Sequence, residues 1–434
     1  MVHTFKINNR YYVFDSESGS LFESGKLANS YIKRASRAPL PALHASNDVE
    51  LEIQNEIQGL ISKGLLFKKE EKAALIKSKD IKALCLHICH DCNLSCGYCF
   101  AGKGTYNKNA EYMSFETAKT AVDFLFKNSG SRKILEIDFF GGEPLLNLDT
   151  VKKTVAYARE KEKEFNKKVL FTLTTNALLL NNETAKFLND EMENVVLSLD
   201  GRKSVNDGIR KTKSGAGSYD IILKNIKNFV ALRGDKNYYI RGTFTAENLD
   251  FSKDVLSLYE NGFKNISLEP VVTDEKSAYY IGKDKLPQIK KEYQRLAGHC
   301  LNNKDINFFH FNIDLEGGPC VNKRLNACGA GNEYFSVAPS GDIYPCHQFV
   351  SNEAYKMGSV FEGKINEDIR NIFKNSSLYT KKKCGKCFAK YHCSGGCAAN
   401  NIKFSGDINT PYEITCGMMK ARMECALYLY DRRH

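Results

Sequence analysis

The chain has 434 residues, 42% hydrophobic and 26% charged, with a formal charge of +11 and an isoelectric point near 8.8. That length allows two or three domains, and the composition is that of a soluble globular protein. The polar start, MVHTFKINNR, lacks the apolar stretch of a secretory signal, and nowhere do about 18 apolar residues run together, so a cytoplasmic chain with no membrane partner is expected. Fifteen cysteines in a reducing compartment exclude a disulfide scaffold and leave metal or cluster ligation.

Residues 1–80 carry 12 Lys plus Arg against 10 Asp plus Glu, so the excess charge is spread out rather than gathered into a nucleic-acid-binding arm. YYVFDSESGSLFE predicts a hairpin, and DVELEIQNEIQGLISKGLLFKKE predicts an amphipathic helix running into a strand, with the Pro-containing linker RAPLPALHAS between them. A hairpin-and-helix unit of this size fits a winged-helix DNA binder or a peptide-docking module, and the weak local charge favours a peptide.

From 81 to 285, short β-branched runs alternate with amphipathic segments. KALCLHI, KILEIDFFGG, VLFTLTTNA, NVVLSLDG, YYIRGTFT and NISLEPV predict strands. SFETAKTAVDFLFKN, with Ser114 and Thr117 where caps belong, and SYDIILKNIKNFVALRG, ending on Gly234, predict helices. Such alternation implies an α/β fold with a parallel sheet, and six strands are too few for a closed eight-stranded barrel, so a partial (β/α)6 barrel is expected. Residues 286–325 read as a bridging segment. Residues 326–434 are short on helical periodicity and rich in Cys and Gly, as if folded around ligands rather than an apolar core.

The loop HDCNLSCGYCFA follows the first of these strands and holds Cys92, Cys96 and Cys99. Three thiolates can hold three irons of a 4Fe-4S cluster and leave the fourth open, which makes them catalytic candidates as well as metal ligands. The alternative is a zinc site completed by His90 or Cys89. Nearer the end stand Cys328, Gly341, Cys346, then CGKCFAKYHCSGGC with Cys384, Cys387, Cys393 and Cys397, then Cys416. By spacing alone these are cluster ligands or paired zinc knuckles.

The CxxxCxxC loop, with Tyr98 before its last cysteine, resembles the signature of radical S-adenosylmethionine (SAM) enzymes. GGEP (Gly141–Pro144), TTN (Thr174–Asn176) and SLDG (Ser198–Gly201), at the ends of the next three strands, match the same family. The resemblance implies that the open iron chelates SAM, that Gly141, Gly142 and Glu143 receive its amino group, and that Ser198, Asn176, Arg210 and Arg241 serve its ribose and carboxylate; Tyr98 and Phe100 flank the same cofactor. One electron would then cleave SAM to a 5'-deoxyadenosyl radical that takes a hydrogen atom from the substrate. The late cysteines match the SPASM extension, which implies two auxiliary clusters, for three 4Fe-4S clusters in all. Cys384, Cys387, Cys393 and Cys416 would hold the outer one, and Cys328, Cys346 and Cys397 the inner one. Cys320 is a candidate fourth inner ligand; without it, that iron is open to a substrate thiolate.

Together with the N-terminal unit and CHQFV, these motifs resemble the maturases of six-cysteine (SCIFF) peptides. The expected activity is intramolecular Cys thioether crosslinking in a cysteine-rich precursor peptide with a leader, whose partner for electrons is a flavodoxin or ferredoxin. Formylglycine formation of the anaerobic sulfatase-maturase type, epimerisation and carbon–carbon crosslinking share the first step. The sulfatase reading is weakened because His347 stands where that group has an Asp. A zinc-bearing winged-helix nucleic-acid binder would leave GGEP, TTN and SLDG unexplained, so no nucleic-acid partner is expected.

Overall fold

The computed structural model describes residues 1–36, 45–72, 78–313, 315 and 325–434. Most of the Pro-containing linker, and Cys320, lie outside the described residues. The chain divides into two compact units: 1–76, 286–327 and 376–434 in the first, 77–285 and 328–375 in the second.

The first unit opens with an antiparallel sheet in the order β1 (Val2–Ile7), β2 (Arg10–Asp15), β3 (Leu21–Ser24). Asn8 and Asn9 both adopt positive φ, 46° and 63°, which a tight two-residue hairpin turn requires and Asn tolerates. Helices α1 (Lys26–Ala35) and α2 (Asp48–Ser62) follow, and Asn47 caps α2 by accepting from Glu50 N at 2.9 Å. Val2, Val13, Tyr31, Ile32, Ile57 and Leu66 form the shared core. The strand expected after α2 is not formed: Leu65 N bonds back to Leu60 O, Lys68 N donates to Asp15 Oδ2 at 3.0 Å, and Leu66 buries itself as a turn residue. The described order is therefore three strands and then two helices.

The second unit is built on a parallel sheet in the sequential order β4 (Ala83–His90), β6 (Ile134–Gly141), β7 (Lys168–Thr175), β8 (Asn194–Ser198), β9 (Tyr238–Phe244), β10 (Asn265–Pro270). The two-residue β5 (Glu111–Tyr112) pairs antiparallel with the end of β4. Crossovers carry α3 (Phe115–Lys127), α4 (Leu148–Phe165), α5 (Asn182–Glu191), α6 (Lys203–Ile209), α7 (Tyr219–Arg233) and α8 (Ser252–Glu260). Ser114 caps α3 by accepting from Thr117 N at 3.0 Å, and Gly234 ends α7. On its far side β4 pairs parallel with β11 (Tyr334–Val337), and β12 (Asp342–Tyr344), β13 (Gly358–Ser359) and β14 (Lys364–Ile365) continue antiparallel. With partners on both sides, every residue of β4 is buried, whereas β6 and β7 alternate.

The expectation that the last region lacks a regular core is corrected by a 21-residue helix, Glu413–Arg433, packed along Leu286–Asn302 in the first unit. It is buried from Ala421 to Leu429 without a break, so it has no apolar stripe for periodicity to reveal. Among the described residues no helix is long and apolar enough to cross a membrane.

Candidate active site

The carboxyl ends of β4, β6, β7 and β8 converge on one cavity. Its wall holds Cys92, Cys96 and Cys99 from the β4 loop, Gly141 to Glu143 from β6, Thr174 to Asn176 from β7, and Ser198 and Arg210. The glycines explain how β6 meets the thiol loop. A Cβ on Gly141, whose φ is 136°, would run into Cys89 O, and one on Gly142 would run into Asp91 O. Without side chains, Gly142 N bonds Cys89 O at 2.9 Å and Glu143 N bonds Asp91 O at 2.8 Å. The Cys89 thiol donates to Glu143 O at 2.9 Å, which makes it a structural thiol rather than a fourth ligand.

Glu143 is 1% exposed, and its carboxyl joins three segments: it accepts from Leu145 N at 3.1 Å, Thr175 Oγ1 at 2.7 Å and Asn176 N at 2.7 Å. Burial pushes its pKa up to about 7, against the pull of those donors and of Arg210. The Asn176 side chain bonds Asn93 Oδ1 at 2.7 Å and Cys92 Sγ at 3.6 Å, so it anchors the thiol loop.

A second network lies on the β8 side. Tyr98 donates to Asp200 Oδ2 at 2.7 Å, Arg210 Nη1 donates to the Tyr98 hydroxyl at 3.0 Å, and Thr243 N donates to Asp200 Oδ1 at 3.0 Å. Arg210 is buried, and among the described residues its Nε has no hydrogen-bond partner. As a cation in the cavity wall, Arg210 puts positive charge where an anionic group such as the carboxylate of SAM could sit. Ser198 lines the cavity; Arg241, its register partner on β9, does not, but is exposed and close enough to His347 to help depress that imidazole's pKa.

Asp200 is a residue that sequence reasoning missed, although it stands within the quoted SLDG. It is fully buried, and burial raises its pKa while Arg210 and Tyr98 pull it down. Also missed is a histidine pair on β4. His87 Nδ1 and His90 Nε2 are 3.2 Å apart, and Tyr106 lies against both rings. Burial holds His87 well below its usual pKa and His90 at about 4, so both are neutral at pH 7. Phe100, half exposed, and Phe140 reach from the cavity wall to His347, with ring centroids 5.8 and 5.3 Å away.

The second unit also contains Cys328, exposed, and Cys346, buried. In the first unit, Cys384, Cys387, Cys393 and Cys416 are near enough to influence one another: burial raises Cys416 to about 12, and Cys393, Cys384 and Cys387 push in the same direction. Burial lifts Cys384 to about 11, with Cys393 and Cys387 adding to it. This mutual influence fits four thiols held for one shared positively charged centre. Cys397 belongs to the same unit and sits at the start of helix Ala398–Ser405. Among the described residues no three His, Cys, Asp or Glu side chains converge at single-ion range.

The Radical SAM superfamily model matches residues 86–250, and the SPASM iron-sulfur cluster-binding domain model matches 328–397, which stops short of Cys416. The chain is 24% identical over 387 residues to the radical SAM cyclopropyl synthase TigE of Paramaledivibacter caminithermalis, covering 85% of this chain and 77% of that one. It is 26% identical to the cysteine-type anaerobic sulfatase-maturating enzyme of Clostridium novyi, covering 71% and 86%. The structure of native anSMEcpe with bound AdoMet superposes with a TM-score of 0.67 at 21% identity, covering 80% of this chain and 98% of that one, a likeness of fold.

Proposed function

For a chain that carries a radical SAM domain followed by a SPASM domain, we propose a peptide maturase that forms intramolecular Cys thioether crosslinks in a cysteine-rich precursor. The chain is a radical SAM enzyme of the SPASM type; the peptide substrate, the bond formed and a complement of three 4Fe-4S clusters are the proposal. The observation that carries the first step is the cavity that brings Cys92, Cys96 and Cys99 to one wall with Gly141, Gly142, Ser198 and Arg210.

When bound, SAM and its cluster supply one-electron cleavage and hydrogen-atom abstraction from the substrate. The chain's own residues orient and exclude water. Arg210, held by Tyr98 and Asp200, offers its positive charge to the SAM carboxylate; Ser198 offers a hydroxyl for the ribose; Gly141 and Gly142 hold the thiol loop at the distance their missing side chains permit. Asn176 and Leu94 each aim an N–H at the Cys92 sulfur, at 3.6 and 3.4 Å, which stabilises its thiolate form. Phe100 and Phe140 form an apolar rim beside His347, which stands where the sulfatase-maturing group has an Asp and whose imidazole burial keeps neutral.

Thioether formation removes a hydrogen atom from carbon, a proton from the thiol and one further electron. The four neighbouring thiols of the first unit, Cys384, Cys387, Cys393 and Cys416, would hold the centre that takes that electron. In the test, iron-loaded enzyme, SAM and a reductant are incubated without oxygen with a leader-bearing, cysteine-rich peptide. Mass spectrometry should show loss of two hydrogens per link and one fewer alkylatable thiol. A carbon–carbon link would leave every thiol alkylatable, epimerisation would leave the mass unchanged, and formylglycine would cost the sulfur; any of these as the sole product contradicts the reading.

A further inference from the structure

We propose that Lys381, together with the turn Ser394–Gly396, is a device that sets the reduction potential of the centre held by Cys384, Cys387, Cys393 and Cys416. The inference rests on the auxiliary-cluster reading above and adds a residue that none of the motifs includes.

Lys381 lies three residues before Cys384 and is only 7% exposed. Its ammonium donates to Ser394 O at 3.1 Å. Ser394, Gly395 and Gly396 follow Cys393 directly and take three successive positive φ values, 55°, 81° and 77°. This left-handed turn folds the chain straight back over Cys393, with Gly396 N bonded to Cys393 O at 3.3 Å. The same turn brings the N–H groups of Gly395 and Gly396 to the Cys393 sulfur. Gly395 has no room for a side chain because the Lys381 stem lies across it, with Nζ 3.1 Å from where a Cβ would stand. The ammonium is therefore held beside this turn by a buried stem.

Cys384 and Cys393 both lie within electrostatic reach of Lys381, so when ligated as thiolates they would feel its positive charge across a buried, weakly screened path. For an iron-sulfur centre, N–H bonds to sulfur and nearby positive charge both favour the form with one more electron, which raises the potential. That direction suits a centre that accepts the electron left by thioether formation. Lys420, exposed to solvent, also reaches Cys384 and Cys416, but water and salt screen it.

The test is a potentiometric titration followed by electron paramagnetic resonance. It uses full-length, iron-loaded protein carrying Cys92→Ala, Cys96→Ala and Cys99→Ala, so that only auxiliary centres report. The relevant signal is the one abolished by Cys393→Ala. Lys381→Gln is expected to lower the reduced-to-oxidised ratio at a fixed potential about tenfold, a shift of about 59 mV in the negative direction for one electron. Lys381→Arg should keep the wild-type potential, and Lys382→Gln, at an exposed neighbour, should change the ratio less than about twofold. An unmoved potential in Lys381→Gln at matched iron content overturns this inference alone. So does loss of the centre in that variant, because the charge would then serve assembly rather than potential. If no iron centre depends on Cys393, the auxiliary-cluster reading falls and takes this inference with it.

Discussion

Replacing Glu143 by Gln changes one oxygen to an amide nitrogen and should destabilise the strand ends by a definite amount. One carboxyl oxygen accepts from Leu145 N and Thr175 Oγ1, the other from Asn176 N. The Thr175 hydroxyl can rotate and become an acceptor, but the two backbone N–H groups cannot. Whichever way the Gln amide is turned, its NH2 faces either Leu145 N or Asn176 N, and one buried donor is left without an acceptor. That costs about 1–3 kcal/mol. The protonated carboxylic acid keeps all three bonds, since its O–H can donate to Thr175 while both oxygens still accept. Because burial raises the Glu143 pKa to about 7, its contribution is fully present below the ordinary carboxylate value near 4.5 and is lost as pH rises through about 7. Thermal unfolding across pH 4.5 to 7.5 should therefore show the largest gap between wild type and Glu143→Gln at the acid end, narrowing as pH rises. A variant as stable as wild type at pH 5, or a gap that widens with pH, would refute the reasoning.

Other perturbations follow from the same geometry. Gly142→Ala forces a methyl group against Asp91 O and should cost about 1–3 kcal/mol while lowering iron retention at Cys92, Cys96 and Cys99, read by iron content after chelator challenge. Tyr98→Phe removes the hydroxyl between Arg210 and Asp200; calorimetric titration should find SAM bound about tenfold more weakly with iron content unchanged. Lys390 is 2% exposed and pairs with Glu17 at 2.6 Å and the more exposed Glu70 at 2.9 Å, so Lys390→Met leaves the buried Glu17 carboxylate with only Tyr391, Ser16 and the N-terminal ammonium. It should destabilise the first unit by about 1–3 kcal/mol in thermal unfolding, and a change under about 0.5 kcal/mol would contradict the role given to that pair.

The parallel sheet was legible because its six strands show buried runs or clean alternation, separated by capped helices. The thiol loop and GGEP were legible because close backbone approach and an open cluster need those residue types. What escaped the sequence did so for physical reasons. The strand Val2–Ile7 is short and was recognisable only through the Asn8–Asn9 turn, and helix Glu413–Arg433 is buried over most of its circumference and so has no period to read. Arg210 and Arg241 look alike in sequence, yet only Arg210 is folded into the cavity wall by the turn after α6. Asn176 lines the cavity and its amide also bonds Asn93 and the Cys92 sulfur, a contact that no motif encodes. Residues 376–434 share a unit with the N-terminal sheet, a long-range association that local pattern does not encode.

The measurement that most directly tests the account is iron, acid-labile sulfide and zinc per chain on protein prepared without oxygen. About twelve irons with matching sulfide and negligible zinc are predicted, three four-iron clusters held by the Cys92, Cys328 and Cys384 groups of thiols. About four irons with bound zinc would contradict it, keeping the SAM step while removing the electron acceptor on which the crosslinking chemistry depends.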